Sequence, residues 1–173
     1  PVESASGGAP CITQIAVEAD RSYFVSWNQS IDDVTTRMEA VINGTNLQYE
    51  SEVGITHVIS AVVVRVDPIT NPYTQNTPFD LLCEFSRAMN GLPTQVDRDA
   101  AVLFTNIFTG GTIGRASNIG SICDLSACPF FPCDGCNATP GVLDGSYCYA
   151  RADWSASFAC ATDLVAHELG HLW

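Results

Sequence analysis

The 173-residue chain has no lysine at all, and its seven basic residues are all arginine. Against 19 acidic residues this leaves a net charge of −12 and a pI near 4.3. A surface so poor in cations repels phosphate backbones, which excludes nucleic-acid binding through a basic face. Charged residues are only 15% of the chain and hydrophobic ones 46%, the wrong balance for a disordered protein. Long apolar runs are missing as well. The most apolar, Val58 to Val64, is about a third of the ~20 residues a membrane helix needs, and Arg65 ends it. It reads as a strand. No internal repeat is visible, and no basic segment followed by an apolar one opens the chain, so a signal peptide is either cleaved or absent. The length suits one domain.

Cysteine, in contrast, is plentiful. Eight are present, at positions 11, 83, 123, 128, 133, 136, 148 and 160, and the last six crowd a segment rich in Pro, Gly, Asp and Asn. That density predicts a disulfide-stapled loop and an oxidising, extracellular compartment. Cys133-Asp134-Gly135-Cys136 also admits reading as half a zinc knuckle or as a redox pair. The first needs a second pair at similar spacing, and Pro129, Pro132 and Pro140 leave no room for the strand and helix of the second. Which cysteines pair is not readable from spacing.

Residues 1–10 form a flexible tail on composition, ahead of a domain over 11–173. Residues 11–20 read as a strand with Ile15 and Val17 on one face. Ile31, Val34, Met38, Val41 or Ile42, Thr45 and Tyr49 recur at helical spacing, so 31–51 is an amphipathic helix capped by Ser30. Asn43-Gly44 inside it is the alternative, a turn, although the apolar period runs through both. A strand follows at 55–66, then a helix from Thr77-Pro78 to about Asn90 with Gly91 as its stop. Residues 100–107 are continuously apolar, as in a central parallel strand covered on both faces. Residues 112–122 are Gly-rich but strand-like, the Cys-rich loop comes next, and 157–173 is a helix. This β-α-β-α-β-β-loop-α order predicts an α/β sandwich with a mostly parallel sheet.

The last helix carries His167-Glu168-Leu169-Gly170-His171. Side chains at i and i+4 share a face, so both imidazoles reach one metal ion, and Glu168 stands beside a metal-bound water without ligating. Zinc in that place polarises a scissile carbonyl and acidifies its water, and Glu168 carries the proton to the departing amine. With three histidines and seven glutamates, chance yields such a triplet in roughly one or two chains per thousand. The bland alternative is a helix end decorated by two histidines that complement its dipole. His57 stands alone in a strand and is read as structural. Two ligands do not complete a catalytic zinc site, which needs three and an open position. The third ligand is expected beyond Trp173, and the chain is read as a piece cut within the motif, inactive as it stands.

His167 to Trp173, HELGHLW, resembles the start of the metzincin motif H-E-x-x-H-x-x-G-x-x-H. Upstream, IAVEAD at 15–20, VINGTNLQYESEVGI at 41–55, RDAAVLFT at 98–105 and GGTIGRASNIGSIC at 110–123 are similar to the reprolysin (adamalysin-like) branch, in the family's order. The resemblance implies a secreted zinc metalloendopeptidase acting on a peptide or protein substrate, with no membrane span, as a monomer. It implies a metzincin-like sandwich whose antiparallel edge strand, here about 112–117, pairs with the substrate backbone through Thr112, Ile113, Gly114, Arg115 and Ala116. An ordinary Gly-rich surface hairpin is the competing reading of that stretch. In this branch a structural Ca²⁺ is often held partly by the Asp matching Asp99, but Gln14 stands where a partnering Glu would be. The family's disulfide partner for Cys123 falls past Trp173, with the motif's Gly, third His and methionine turn. Tyr147 to Trp154, YCYARADW, departs from the family's usual approach to the zinc helix. Two rival functions remain in view. One is a thermolysin-like protease with a downstream Glu ligand; the other is an inactive metzincin-like binding or adhesion module, against which the intact Glu168 counts.

Overall fold

A computed structural model describes residues 11–94, 96–117, 119–122 and 146–173. The expected tail at 1–10 and most of the Cys-rich loop lie outside the described residues. Among the described residues nine elements follow one another: β1 Cys11–Ala19, α1 Arg21–Ser26, α2 Ile31–Glu52, β2 Ile55–Val64, α3 Pro78–Asn90, β3 Ala100–Phe104, β4 Gly114–Ala116, β5 Tyr147–Ala150 and α4 Phe158–Leu172. The strands form one sheet in the order β2-β1-β3-β5-β4. Pairs β1–β2, β1–β3 and β3–β5 are parallel, and the edge pair β4–β5 is antiparallel. The expected α/β sandwich with an antiparallel edge strand is the observed architecture. Among the described residues no helix is long and apolar enough to cross a membrane.

Period-2 alternation sorts each central strand between two cores. Ile15, Val17, Val102, Phe104, Cys148 and Ala150 face the layer of α2 and α4. Ala16, Ala101, Leu103, Tyr147 and Tyr149 face α3, which presents Leu81, Leu82, Phe85 and Met89. Both faces of β3 and β5 are therefore covered, which is why their sequences are continuously apolar. A bulge in β2 leaves Ser60 without a partner in β1, and its hydroxyl donates to the Ile15 carbonyl at 3.2 Å.

Local chemistry sets the helix ends. Ser30 caps α2 by accepting from the Asp33 amide at 3.2 Å, with Asp32 and Asp33 in the positive first turn. Thr77 does the same for α3 through the Asp80 amide, with Pro78 in the first turn. Asn43-Gly44 is helix, not turn. A Cβ on Gly44 would lie 2.5 Å from Thr162 Cγ2 and 3.3 Å from the Phe158 ring, so the glycine lets α2 and α4 approach. Gly in a helix costs about 1 kcal/mol against Ala. Here that cost is offset by the packing of the Thr162 and Phe158 side chains over position 44, and the Thr45 hydroxyl donates to the Thr162 carbonyl at 3.3 Å.

The structure departs from the sequence reading at four places. Helix α1 was not expected; Asp20 nucleates it by accepting from the Tyr23 amide at 2.7 Å. The strand expected over 112–122 shrinks to Gly114–Ala116, because Gly110 and Gly111, at φ 67° and 97°, turn the chain and bridge Thr109 to Thr112. Tyr147–Ala150, read with the loop, is the fifth strand. Finally, the cysteines are not uniformly paired. Cys83 is disulfide-bonded, but Cys11, Cys148 and Cys160 are free thiols. Cys148 is buried on the α4 face of the sheet, where it serves as a small apolar core residue. Cys123, Cys128, Cys133 and Cys136 lie outside the described residues.

Candidate metal centre and substrate cleft

Helix α4 is held on three sides. Tyr49 of α2 donates its hydroxyl to the Ala166 carbonyl at 2.8 Å, and a Cβ on Gly170 would come within 3.2 Å of the same oxygen. Gly170 thus admits Tyr49 against the helix. At the C-terminal end, carbonyls left without intrahelical partners are met by the chain following β4. The Gly120 amide donates to the His171 carbonyl at 2.9 Å and the Ile122 amide to the Leu172 carbonyl at 2.7 Å. On the third side Glu168 packs into β4.

His167 is exposed and His171 half-buried, one helical turn apart. Their Nε2 atoms lie 3.0 Å from each other, with ring centroids 4.6 Å apart and planes at 85°. Two nitrogens bonded to one zinc at about 2.05 Å are separated by roughly 3.0 Å at a 94° angle and 3.3 Å at the tetrahedral angle. The pair therefore fits one cation with an adjustment of a few tenths of an ångström. Among the described residues no group of three or more His, Cys, Asp or Glu converges on a common point.

Glu168 is 5% exposed. Gly114 makes its seat: a Cβ there would lie 2.8 Å from both Cγ and Cδ of the glutamate. Burial raises its carboxyl to about 7, partly opposed by the positive charge of Arg115. A group that exchanges its proton near neutrality suits general acid–base work.

His57 lies apart from this centre. Its Nδ1 and backbone amide both meet Asn46 Oδ1, at 3.0 and 2.8 Å, and Asn46 returns a hydrogen bond to the His57 carbonyl at 2.8 Å. Since that oxygen only accepts, Nδ1 carries the proton. Burial lowers the imidazole to about 4. It is a neutral structural residue, as expected. Asp99 and Gln14, the pair weighed for Ca²⁺, lie side by side: the Asp99 carboxylate accepts from the Gln14 amide at 2.8 Å, and the Asp99 amide donates to the Gln14 carbonyl at 2.7 Å.

A cleft of about 550 Å³ separates α4 from the segment leading into β4. The structure brings Thr112, Ile113 and Gly114 to its wall, opposite His167 and Glu168. Arg115 and Ala116 do not line it. Arg115 stacks over the Phe79 ring at 5.7 Å, and Ala116 packs against the core. The Ile113 carbonyl is taken by the Arg151 amide at 2.7 Å, so this stretch is anchored from behind by the chain after β5. Last in the sheet, β4 has one side without a neighbouring strand among the described residues. The sequence reading missed Gly111, Trp154, Cys160, Asp163 and Leu164, which complete the cleft. For three of them a signal was present: 160, 163, 164 and 167 follow the i, i+3, i+4, i+7 pattern of one helical face.

Residues 11–173 match the family model described as metallo-peptidase family M12, Reprolysin_5. No curated protein matches the sequence. Among solved structures, a chain of a chaperone–substrate complex superimposes with a TM-score of 0.60 at 15% identity, over 94% of this chain and 26% of that one. Metalloproteinase-II from Bacteroides fragilis gives 0.50 at 18% identity, over 99% of this chain and 44% of that one. At such identities the likeness is one of fold. The chain spans about a quarter of the first neighbour's length and less than half of the second's.

Proposed function

The chain belongs to metallo-peptidase family M12, and from that premise we propose that it is the motif-bearing part of a secreted, zinc-dependent endopeptidase. The observation that carries the reading is the pair of Nε2 atoms 3.0 Å apart with a buried carboxyl on the next residue. His167 and His171 would hold the ion, with a further ligand from outside the described residues. The chemistry supplied by bound zinc is Lewis acidity toward a peptide carbonyl and a water molecule.

This chain's own residues do the rest. Glu168 removes a proton from the attacking water and delivers it to the leaving nitrogen. Gly114 fixes where that carboxyl stands. The free side of β4 offers backbone groups to an extended substrate, which adds as a further strand and brings its scissile bond alongside α4. The amides of Gly120 and Ile122 fasten the end of α4 to the same segment, so the strand that positions substrate also positions the histidines. Secretion is supported by the disulfide at Cys83 and by the number of cysteines.

The test is Glu168→Ala in the full-length, zinc-loaded protein. Zinc remains bound at one equivalent while kcat/KM for a peptide substrate falls by roughly 10²–10⁴. Undiminished cleavage would remove Glu168 from the mechanism, and loss of the ion would make it a ligand.

A further inference from the structure

The cleft carries groups that peptide hydrolysis does not use. Cys160, Asp163 and Leu164 share the face of α4 that presents His167, and Trp154, 47% exposed, stands at the rim. The turn holding Trp154 is closed by its amide donating to the Arg151 carbonyl at 2.9 Å. Asp163 is the one charged side chain among the described lining residues apart from the motif itself. It lies one turn, about 6 Å along the axis, before His167. Gln48 of α2 fixes the carboxylate by donating to Oδ1 at 2.8 Å. Glu18 and Asp153 are neutralised by Arg65 and Arg37. No guanidinium pairs with Asp163 among the described residues. The cleft thus holds an oriented carboxylate, without a guanidinium partner among the described residues, and an exposed indole, in a protein of net charge −12.

We propose that this flank is a side-chain subsite that selects a cationic residue, arginine or lysine, of the peptide substrate. The proposal rests on reading the cleft as the place where a peptide is bound and cut. A guanidinium or ammonium group donates to the free oxygen of Asp163, a charge-assisted bond. Its cationic head lies near the Trp154 indole, and its methylene stem runs over Leu164 and Cys160. A glutamate side chain meets like charge at the same point, and the negative field of the whole protein slows its approach.

The test uses the full-length protein and peptides of one sequence carrying Arg, Gln or Glu in turn at each position flanking the cut. Cleavage is measured as kcat/KM. Uncleavable versions of the same peptides are titrated calorimetrically against the metal-free protein. In 0.15 M salt, Arg is favoured over Gln by about tenfold at one position. Asp163→Asn, which keeps an acceptor for Gln48, brings that ratio to within about twofold of unity, and Asp163→Arg shifts preference to Glu. Glu39→Gln, on α2 and outside the cleft, removes the same unit of charge and leaves the ratio unchanged.

An Arg preference that survives Asp163→Asn, or that Glu39→Gln weakens equally, overturns the subsite. Cleavage without any charge preference overturns it while leaving the protease reading intact. Asp163-dependent binding of the Arg peptide without cleavage does the reverse.

Discussion

Gly114 and Glu168 share a space that only one side chain can fill, since a Cβ at position 114 would sit 2.8 Å from the Cγ and Cδ of Glu168. The edge strand and the proposed general base are therefore one structural unit. Gly114→Ala is expected to push the carboxyl out of its seat, lowering kcat by about 10²-fold with zinc still bound. Stability falls by about 1–3 kcal/mol, the usual cost of overpacking. Unchanged kcat with an unshifted melting temperature would show that the seat is looser than described.

The crossing of α2 and α4 offers a second test. Alanine is the better helix former, yet Gly44→Ala is expected to destabilise by about 1–2 kcal/mol, because Thr162 Cγ2 occupies the space. Thr162→Ser removes that methyl group and keeps the hydroxyl that donates to the Ala159 carbonyl at 2.8 Å. In urea melts the double variant should therefore recover about 1 kcal/mol relative to the sum of the single ones. Strict additivity would place the clash elsewhere.

His57 supplies a pH prediction. Its folded-state value near 4 lies below the 6.5 of an unfolded histidine. The unfolded chain therefore binds this proton first, and the residue's contribution to stability is full above pH 6.5 and is lost as pH falls toward 4. Imidazole ¹⁵N NMR of the folded protein at pH 5.5 should show a neutral ring protonated at Nδ1. A ring already charged at that pH would contradict the burial and the Asn46 contact.

Much of this arrangement was legible in the sequence because it is local. Ser30 and the spacing from Val34 to Tyr49 announce α2, and His167 and His171 share a face by helical geometry alone. What was not legible depends on partners distant in the chain. Tyr147–Ala150 is buried on both faces, so it shows no alternation and reads like the apolar part of a loop. Gly114 was expected to pair with a substrate backbone; that it also leaves room for Glu168 shows only in the fold. Cys148 looked like a member of a disulfide cluster until strand pairing turned it toward α4. Asp163 gave a sign in its spacing to His167, but only the fold shows it in the cleft without a guanidinium partner among the described residues.

The proposed mechanism stands on one ion held between two imidazoles one helical turn apart. Anomalous diffraction at the zinc edge from crystals of the full-length, zinc-soaked protein tests it most directly. A single peak is expected within about 2.0–2.1 Å of Nε2 of both His167 and His171, with the Glu168 carboxyl near it but not bonded. A peak elsewhere, or the two rings turned to different surroundings with no ion between them, would contradict it.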